Sequence, residues 1–365
     1  MSNLEYSGAS LNFDGAALLG ESRSPLMMAL CQSVVVRRLK DISFLGAIDY
    51  SYRPVRRTDF LTTRFDHSVG VAFLARTAAE KMNVSEYETQ LAMVAGLLHD
   101  IGHGPLSHSL EPRFSTCFGL NHHIASEGLI SGDDENGKTL REILRDFRVH
   151  PRDIVDVLNG VYASPITQLF SCAINVDTIE GIHRAAAYHS GFELKQSPSH
   201  VAEALVFSLM NRPTRREIET LDTFWALKNQ VYFSLIRSDI GVLSDLRSQL
   251  YFDAHRDRFR ASDFFMTDTQ LGARYKGLFS TLRKLRGAVP EGEQDFVWPD
   301  VVDYQQRSFF VDEFCALDGS EGSVKRRYRQ SKQPRKLLLA AIRKKMHQED
   351  GNLELSENFR ESAQL

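Results

Sequence analysis

The chain is predicted to be all-α, on three observations. Apolar residues recur at three- and four-residue steps along most of its length, alternating strand patterns are scarce, and no stretch repeats at a fixed period. From His67 onward, Val71, Leu74, Ala75, Ala78, Ala79 and Met82 mark one buried helical face. A second apolar helix is expected over 85–100, opened by Ser85 and Glu88 at the spacing of a capping box. Segments near 139–148, 151–160, 165–190, 200–211 and 215–255 also read as helices, with prolines between them or in their first turns. The stretches SGDDENGK (131–138) and GAVPEGEQDFVWP (287–299) read as loops. The organisation that follows is an N-terminal arm over 1–24, a main helical domain over 25–260 and a partly helical C-terminal extension over 261–365. Within that extension a basic segment, 325–345, precedes an acidic, polar end expected to be disordered.

Composition narrows the class. With 365 residues there is ample material for a core, and 42% hydrophobic with 25% charged residues is ordinary for a soluble globular protein. A net charge of −3 gives no global attraction to nucleic acid or membrane, so any such affinity must be local. No run of about 18 apolar residues exists, so no membrane span is expected. Cys31, Cys117, Cys172 and Cys315 stand far apart without a C-x-x-C, which argues against a disulfide or zinc framework. The opening MSNLEYSGASLNFDG has neither a basic n-region nor an apolar run, and a cytoplasmic location is expected.

The chemistry concentrates in LLHDIGHGPLSH (97–108), where an apolar helix runs into His99-Asp100 and then breaks at Gly-His-Gly-Pro. His67 opens the preceding helix, and Asp177 lies in INVDTIEGIHRA among Ile174, Val176, Ile179 and Ile182. Burying those carboxylates unpaired would cost several kcal/mol each. Two imidazoles and two carboxylates around one divalent ion satisfy all four groups, and such a set suits Fe, Mn, Zn, Co or Ni.

The order H…HD…D, with RFDHSVGV before HDIGHGP, resembles the HD-domain metal-dependent phosphohydrolases over roughly residues 40–255. The wording HDIGHGPLSH is most similar to the deoxynucleoside triphosphate triphosphohydrolase branch. The resemblance implies an HD-domain helical bundle and a hydrolase that acts on nucleotides. It implies that His67, His99, Asp100 and Asp177 bind the metal, with room for an additional Mg2+, and that Arg64 contacts phosphate. His103, His108 and Glu111 fall where the family has a histidine–acid cluster lining the reaction centre. His122 and Ser126, in LNHHIASEG, match a pattern whose histidine helps protonate the leaving oxygen. Gly102 and Gly104 are expected to turn the backbone sharply beside the substrate.

From the last ligand onward the sequence departs from the family's D-[KR]-x-D-Y-x-x-R-D. It keeps Asp177, the acid Glu180 and Arg184, but carries Thr178, Gly181 and Ala185 where the family has a basic residue, a tyrosine and an aspartate. Arg184 is therefore a candidate substrate contact, as is Lys228, which falls where a triphosphate-binding arginine is expected. The hydrolytic centre reads as complete and the sugar and base pocket as altered. Release of triphosphate from a dNTP is the leading reaction. Cleavage of another phosphoester (a modified or cyclic nucleotide, or a nucleic-acid end), a non-catalytic nucleotide- or nucleic-acid-binding scaffold and a di-iron oxygenase stay open. The run KRRYRQSKQPRKLLLAAIRKK reads as a solvated helix face, a nucleic-acid contact or part of a homo-oligomer interface.

Overall fold

Ser24 and Pro25 show how local chemistry starts the helices: the serine hydroxyl accepts from the Met27 amide, and the proline fills the first turn, where its missing N–H is harmless. The structure is a computed structural model and describes residues 24–51, 62–132, 135–188, 192, 194–285 and 299–339. The 1–23 part of the arm, most of the 287–299 loop and the acidic end lie outside them. In chain order, α1 (Pro25–Gln32), α2 (Val34–Arg38) and α3 (Ala47–Ser51) precede the long α4 (Arg64–Lys81) and α5 (Glu86–Leu98). Then come α6 (Glu111–Phe118), α7 (His122–Ser131), α8 (Lys138–Asp146), α9 (Pro151–Leu158), α10 (Gln168–Ser171) and α11 (Val176–Tyr188). The helices end with α12 (Pro198–Met210), α13 (Arg215–Val231), α14 (Asp239–Ala254), α15 (Asp268–Arg274) and α16 (Lys276–Lys284). Strands β1 (Val301–Val311) and β2 (Tyr328–Leu338) follow, with α17 (Glu321–Arg327) between them.

The α4–α5 pair sets the frame of the site. Thr63 with Asp66, and Ser85 with Glu88, form reciprocal capping boxes that fix where each helix begins. The two helices approach closely because residue 96 lacks a side chain: a Cβ there would lie 2.8 Å from Ala72 Cα. Val71, Ala75, Val94 and Leu97 from this pair share one core cluster with Ile179, Leu205 and Phe224 from α11, α12 and α13. A second cluster joins Leu110 and Phe114 to Phe252, Phe259, Phe264, Tyr275 and Leu278. Its rings stack directly, Phe252 on Phe259 at 4.2 Å and Phe259 on Tyr275 at 4.0 Å between centroids. Side chains on both sides of position 260 therefore share one core.

The basic run corrects the helical reading. Residues 328–338 are a strand, antiparallel to β1 with Val301 opposite Leu338 and Val311 opposite Tyr328. Pro334 would break a helix here, and it is tolerated because β2 has a partner on one side only in this two-stranded sheet. The sheet is fastened to α13, where the Trp225 indole donates to Phe310 O at 3.2 Å and Asp222 accepts from Arg327 and the Tyr328 hydroxyl. The expected helix over 165–190 is also interrupted, by a bend between α10 and α11, and 215–255 is broken by a π-helical turn at Tyr232–Ile236. No described helix is long and apolar enough to cross a membrane.

Candidate metal centre and active site

His67 lies in the first turns of α4 and is 1% exposed. His99 caps the end of α5, Asp100 follows it, and Asp177 stands in the first turn of α11. The three elements bring four ligand atoms together. His67 Nε2 is 3.1 Å from Asp177 Oδ1 and 3.3 Å from His99 Nε2. Asp100 Oδ2 is 3.6 Å from His67 Nε2 and 3.4 Å from His99 Nε2, and Asp177 Oδ1 is 3.6 Å from His99 Nε2. The ligand atoms of His67, His99 and Asp100 lie within 4.8 Å of one another and could hold a divalent ion, with Asp177 Oδ1 set against both imidazoles beside them. The side chain of Asp177 is 49% exposed and leaves one side of the centre open.

Each imidazole is oriented from behind. His67 Nδ1 hydrogen-bonds Glu180, whose carboxylate takes the Arg184 guanidinium in turn, while His99 Nδ1 donates to Gly96 O at 2.8 Å. Both contacts leave Nε2 available to a metal. Burial alone would raise the carboxyl pKa values, but the surrounding charges outweigh it. His99, His103 and Arg64 hold Asp100 well below its ordinary value, and His67 and His99 do the same for Asp177. Conversely, burial works against the His99 charge, yet Asp100 and Asp177 push the imidazole up to about 9.

Beside the ligands sits a second cluster. His122 Nδ1 is 2.6 Å from Glu111 Oε2, and the same oxygen accepts the His122 backbone N–H at 3.0 Å. His103 stacks on His122 at 4.2 Å, and its Nε2 is 3.3 Å from Asp100 Oδ1. His103 is fully buried, and neither ring nitrogen makes a hydrogen bond. His108 reaches Glu111 at 3.8 Å with its side chain 61% exposed. Burial disfavours the Glu111 charge, but His108 and His122 hold its carboxyl well below the usual range. Of these groups His122 lines a cavity of about 240 Å3 together with His99, Asp100 and Asp177, and Ile130, Val155, Leu158 and Phe170 give that cavity apolar lining.

The structure therefore brings together His67, His99, Asp100, Asp177, His103, His108, Glu111 and His122. The other predicted residues have protein partners. Arg64 is buried, donating to Asp100 Oδ2 at 2.6 Å, Ser107 Oγ at 2.9 Å and Phe44 O at 2.9 Å, and so holds Asp100 in place. Arg184 is 1% exposed and tied to Glu180 and to Asp66 O. Lys228 is 9% exposed, its Nζ 4.5 Å from the Trp225 ring and 4.7 Å from the Phe309 ring. Such cation–π contacts contribute about 0.5–2 kcal/mol each.

Gly102 serves packing rather than substrate approach. A Cβ there would lie 2.3 Å from His122 O and from the Ser126 amide, and its own N–H donates to Ser126 Oγ at 2.9 Å. The left-handed backbone falls instead on Leu106 (φ 57) and Ser107 (φ 48). Asp268 of α15 holds them, accepting from the Leu106 amide at 2.7 Å, the Ser43 amide at 3.0 Å and the Tyr50 hydroxyl at 2.8 Å. Phe44 fills the direction in which a larger residue at 181 would point, since a Cβ at Gly181 would sit 3.4 Å from its ring. Sequence reasoning saw neither Asp268 nor Phe44, because nothing local marks a residue that acts on a loop so far along the chain. Ala185 belongs to the buried core.

Comparison with known proteins agrees with this geometry. Residues 64–170 match the family model described as HD domain. The chain is 30% identical over 172 residues to the uncharacterized protein YwfO of Bacillus subtilis, covering 46% of this chain and 37% of that protein. It is 36% identical over 154 residues to the deoxynucleoside triphosphate triphosphohydrolase SAMHD1 of Mus musculus (39% and 23%). To the Homo sapiens SAMHD1 it is 34% identical over 97 residues (25% and 15%). The chain thus spans well under half the length of these curated relatives. His67, His99 and Asp100 lie inside the matched segment and Asp177 just beyond its end, so the chain carries an HD-domain match over residues 64–170.

Proposed function

We propose that this chain is a divalent-metal-dependent phosphohydrolase acting on nucleotides, and that its reaction is the release of triphosphate from a dNTP. The observation that carries the reading is the His67–His99–Asp100 cluster, with Asp177 Oδ1 against both imidazoles, beside the His122–Glu111 pair, with His99, Asp100, Asp177 and His122 lining one cavity. The relatives named as dNTP triphosphohydrolases support it. A divalent ion held by His67, His99, Asp100 and Asp177 supplies Lewis-acid charge beside the phosphoryl oxygens and water activation near neutral pH. The protein's own groups do the rest. Glu111 accepts from Nδ1 of His122, which leaves Nε2 to the reaction centre. In the imidazolium form of His122 that nitrogen carries the proton given to the leaving oxygen, and the neutral ring left behind keeps its Nδ1–H on Glu111. Arg64 keeps Asp100 charged and aimed, and the apolar residues lining the cavity take a base.

A second reading, cleavage of a different phosphoester, is favoured by Thr178 in place of a basic residue and by Phe44 beside Gly181. Purified protein given Mn2+, Co2+ or Mg2+ and a nucleotide panel separates the two. Nucleoside plus inorganic triphosphate is the expected product, and monophosphate would favour the second reading. His122→Ala is expected to lower turnover by roughly 10²–10⁴ with metal content unchanged. Unaltered turnover in that variant would remove His122 from the mechanism.

A further inference from the structure

Two helices build most of the cavity beside the metal ligands. α7 turns His122, Glu127 and Ile130 to it, and α9 turns Leu158 and its C-terminal cap, Asn159. Thr178, Gly181 and Ala185, where the chain departs from its resemblance, lie outside this lining. The space open beside the metal centre is therefore walled by other residues. Two of them carry unused hydrogen-bonding groups: among the described residues, neither the Glu127 carboxylate nor the Asn159 side-chain amide makes a hydrogen bond or an ion pair. His122 marks the end of the cavity at which the leaving oxygen is protonated. From there a rise of 1.5 Å per residue carries Glu127 roughly 7–8 Å farther along α7. A sugar bridges such a gap between a leaving 5′ oxygen and the edge of its base.

We propose that Glu127 and Asn159 form a base-reading subsite between α7 and α9, and that the base it takes is guanine. The inference rests on the phosphohydrolase reading above, which sets the leaving nucleoside against His122. An ionised carboxylate only accepts hydrogen bonds, so it matches an edge that presents two adjacent N–H donors. Guanine offers that pair at N1 and its 2-amino group. The Asn159 amide can donate, which suits the neighbouring O6 carbonyl. Adenine instead turns a bare N1 lone pair toward the carboxylate and is repelled. Ile130, Leu158 and Phe170 supply the apolar surface for the ring faces, so edge and faces are read by different groups, as for other bases held outside a stack.

Titration calorimetry of the metal-loaded protein with deoxyguanosine, deoxyinosine and deoxyadenosine tests it, since nucleosides carry no phosphate to engage the metal. Deoxyguanosine is expected to bind ~10-fold or more tighter than deoxyadenosine, the worth of a charge-assisted contact. Deoxyinosine, which lacks the 2-amino donor, is expected between them. Glu127→Gln is expected to remove most of that preference and Asn159→Ala part of it, with metal content and orthophosphate binding as in the parent. Equal affinity for the three nucleosides, binding of none, or a preference that survives Glu127→Gln overturns the subsite, whatever the turnover. A preference that depends on Glu127, in a protein that hydrolyses no nucleotide, leaves the subsite standing and removes the hydrolase reading instead.

Discussion

Glu180 reaches His67 at Nδ1, the ring nitrogen turned away from His99 and Asp177, so its loss would act on a metal at His67 Nε2 without touching it. Glu180→Gln is expected to weaken divalent-metal affinity about 10–100-fold, as for other residues that orient ligating histidines. Metal titration monitored by calorimetry checks this, and an unchanged affinity would show that packing alone orients the ring. His67, His99 and Asp100 were legible because each combines a ligand-type side chain with apolar neighbours that force it inward. The surroundings of Arg184 and Arg64 were not legible, because the partners that hold them come from packing: the Arg184 guanidinium is buried on Glu180, and Arg64 donates to Asp100 on the next helix and loop.

At the scale of elements, the α4–α5 contact carries the ligand spacing. Gly96→Ala would set a methyl 2.8 Å from Ala72 Cα, and helix backbones do not yield as a flexible side chain does. The expected cost is about 1–3 kcal/mol of unfolding free energy, read from urea denaturation, together with weaker metal binding as His67 and His99 move apart. A variant as stable as the parent would show that the helices can separate without penalty. Helix existence was readable along this half of the chain because caps and three–four periodicity agree there. The strands were not: β1 and β2 are joined through 312–327 rather than by a tight turn, so no short-range hairpin signal marks them. Their hold on α13 comes from Asp222, Trp225 and Asn229, residues that look like ordinary helix surface in sequence.

Across the whole molecule, buried acids outside the metal centre give the fold an unusual pH response. Burial pushes the Asp49 carboxyl up to about 7, with the Leu45 amide opposing, and Asp245 and Asp268 are raised in the same direction. From the ordinary carboxylate range near 4 up to about 7, the folded chain keeps a proton at Asp49 that the unfolded chain has already released. This contribution to stability is therefore present at low pH and lost as pH rises through that window. Asp49→Asn, which preserves an acceptor for the Leu45 amide, is expected to raise the melting temperature at pH 8 and to flatten its decline between pH 4 and 8. Scanning calorimetry across that range checks it, and an unchanged slope would mean that Asp49 titrates normally. The same region explains why Leu106 and Ser107 can hold left-handed backbone, a conformation costing roughly 1–2 kcal/mol per residue. Asp268 imposes that shape from a distant point in the sequence, and a fragment ending at 260 would lack it. The LLHDIGHGPLSH signature is consequently not portable: grafted onto another helix pair, it would bring its histidines and its aspartate but not the curve that aims them.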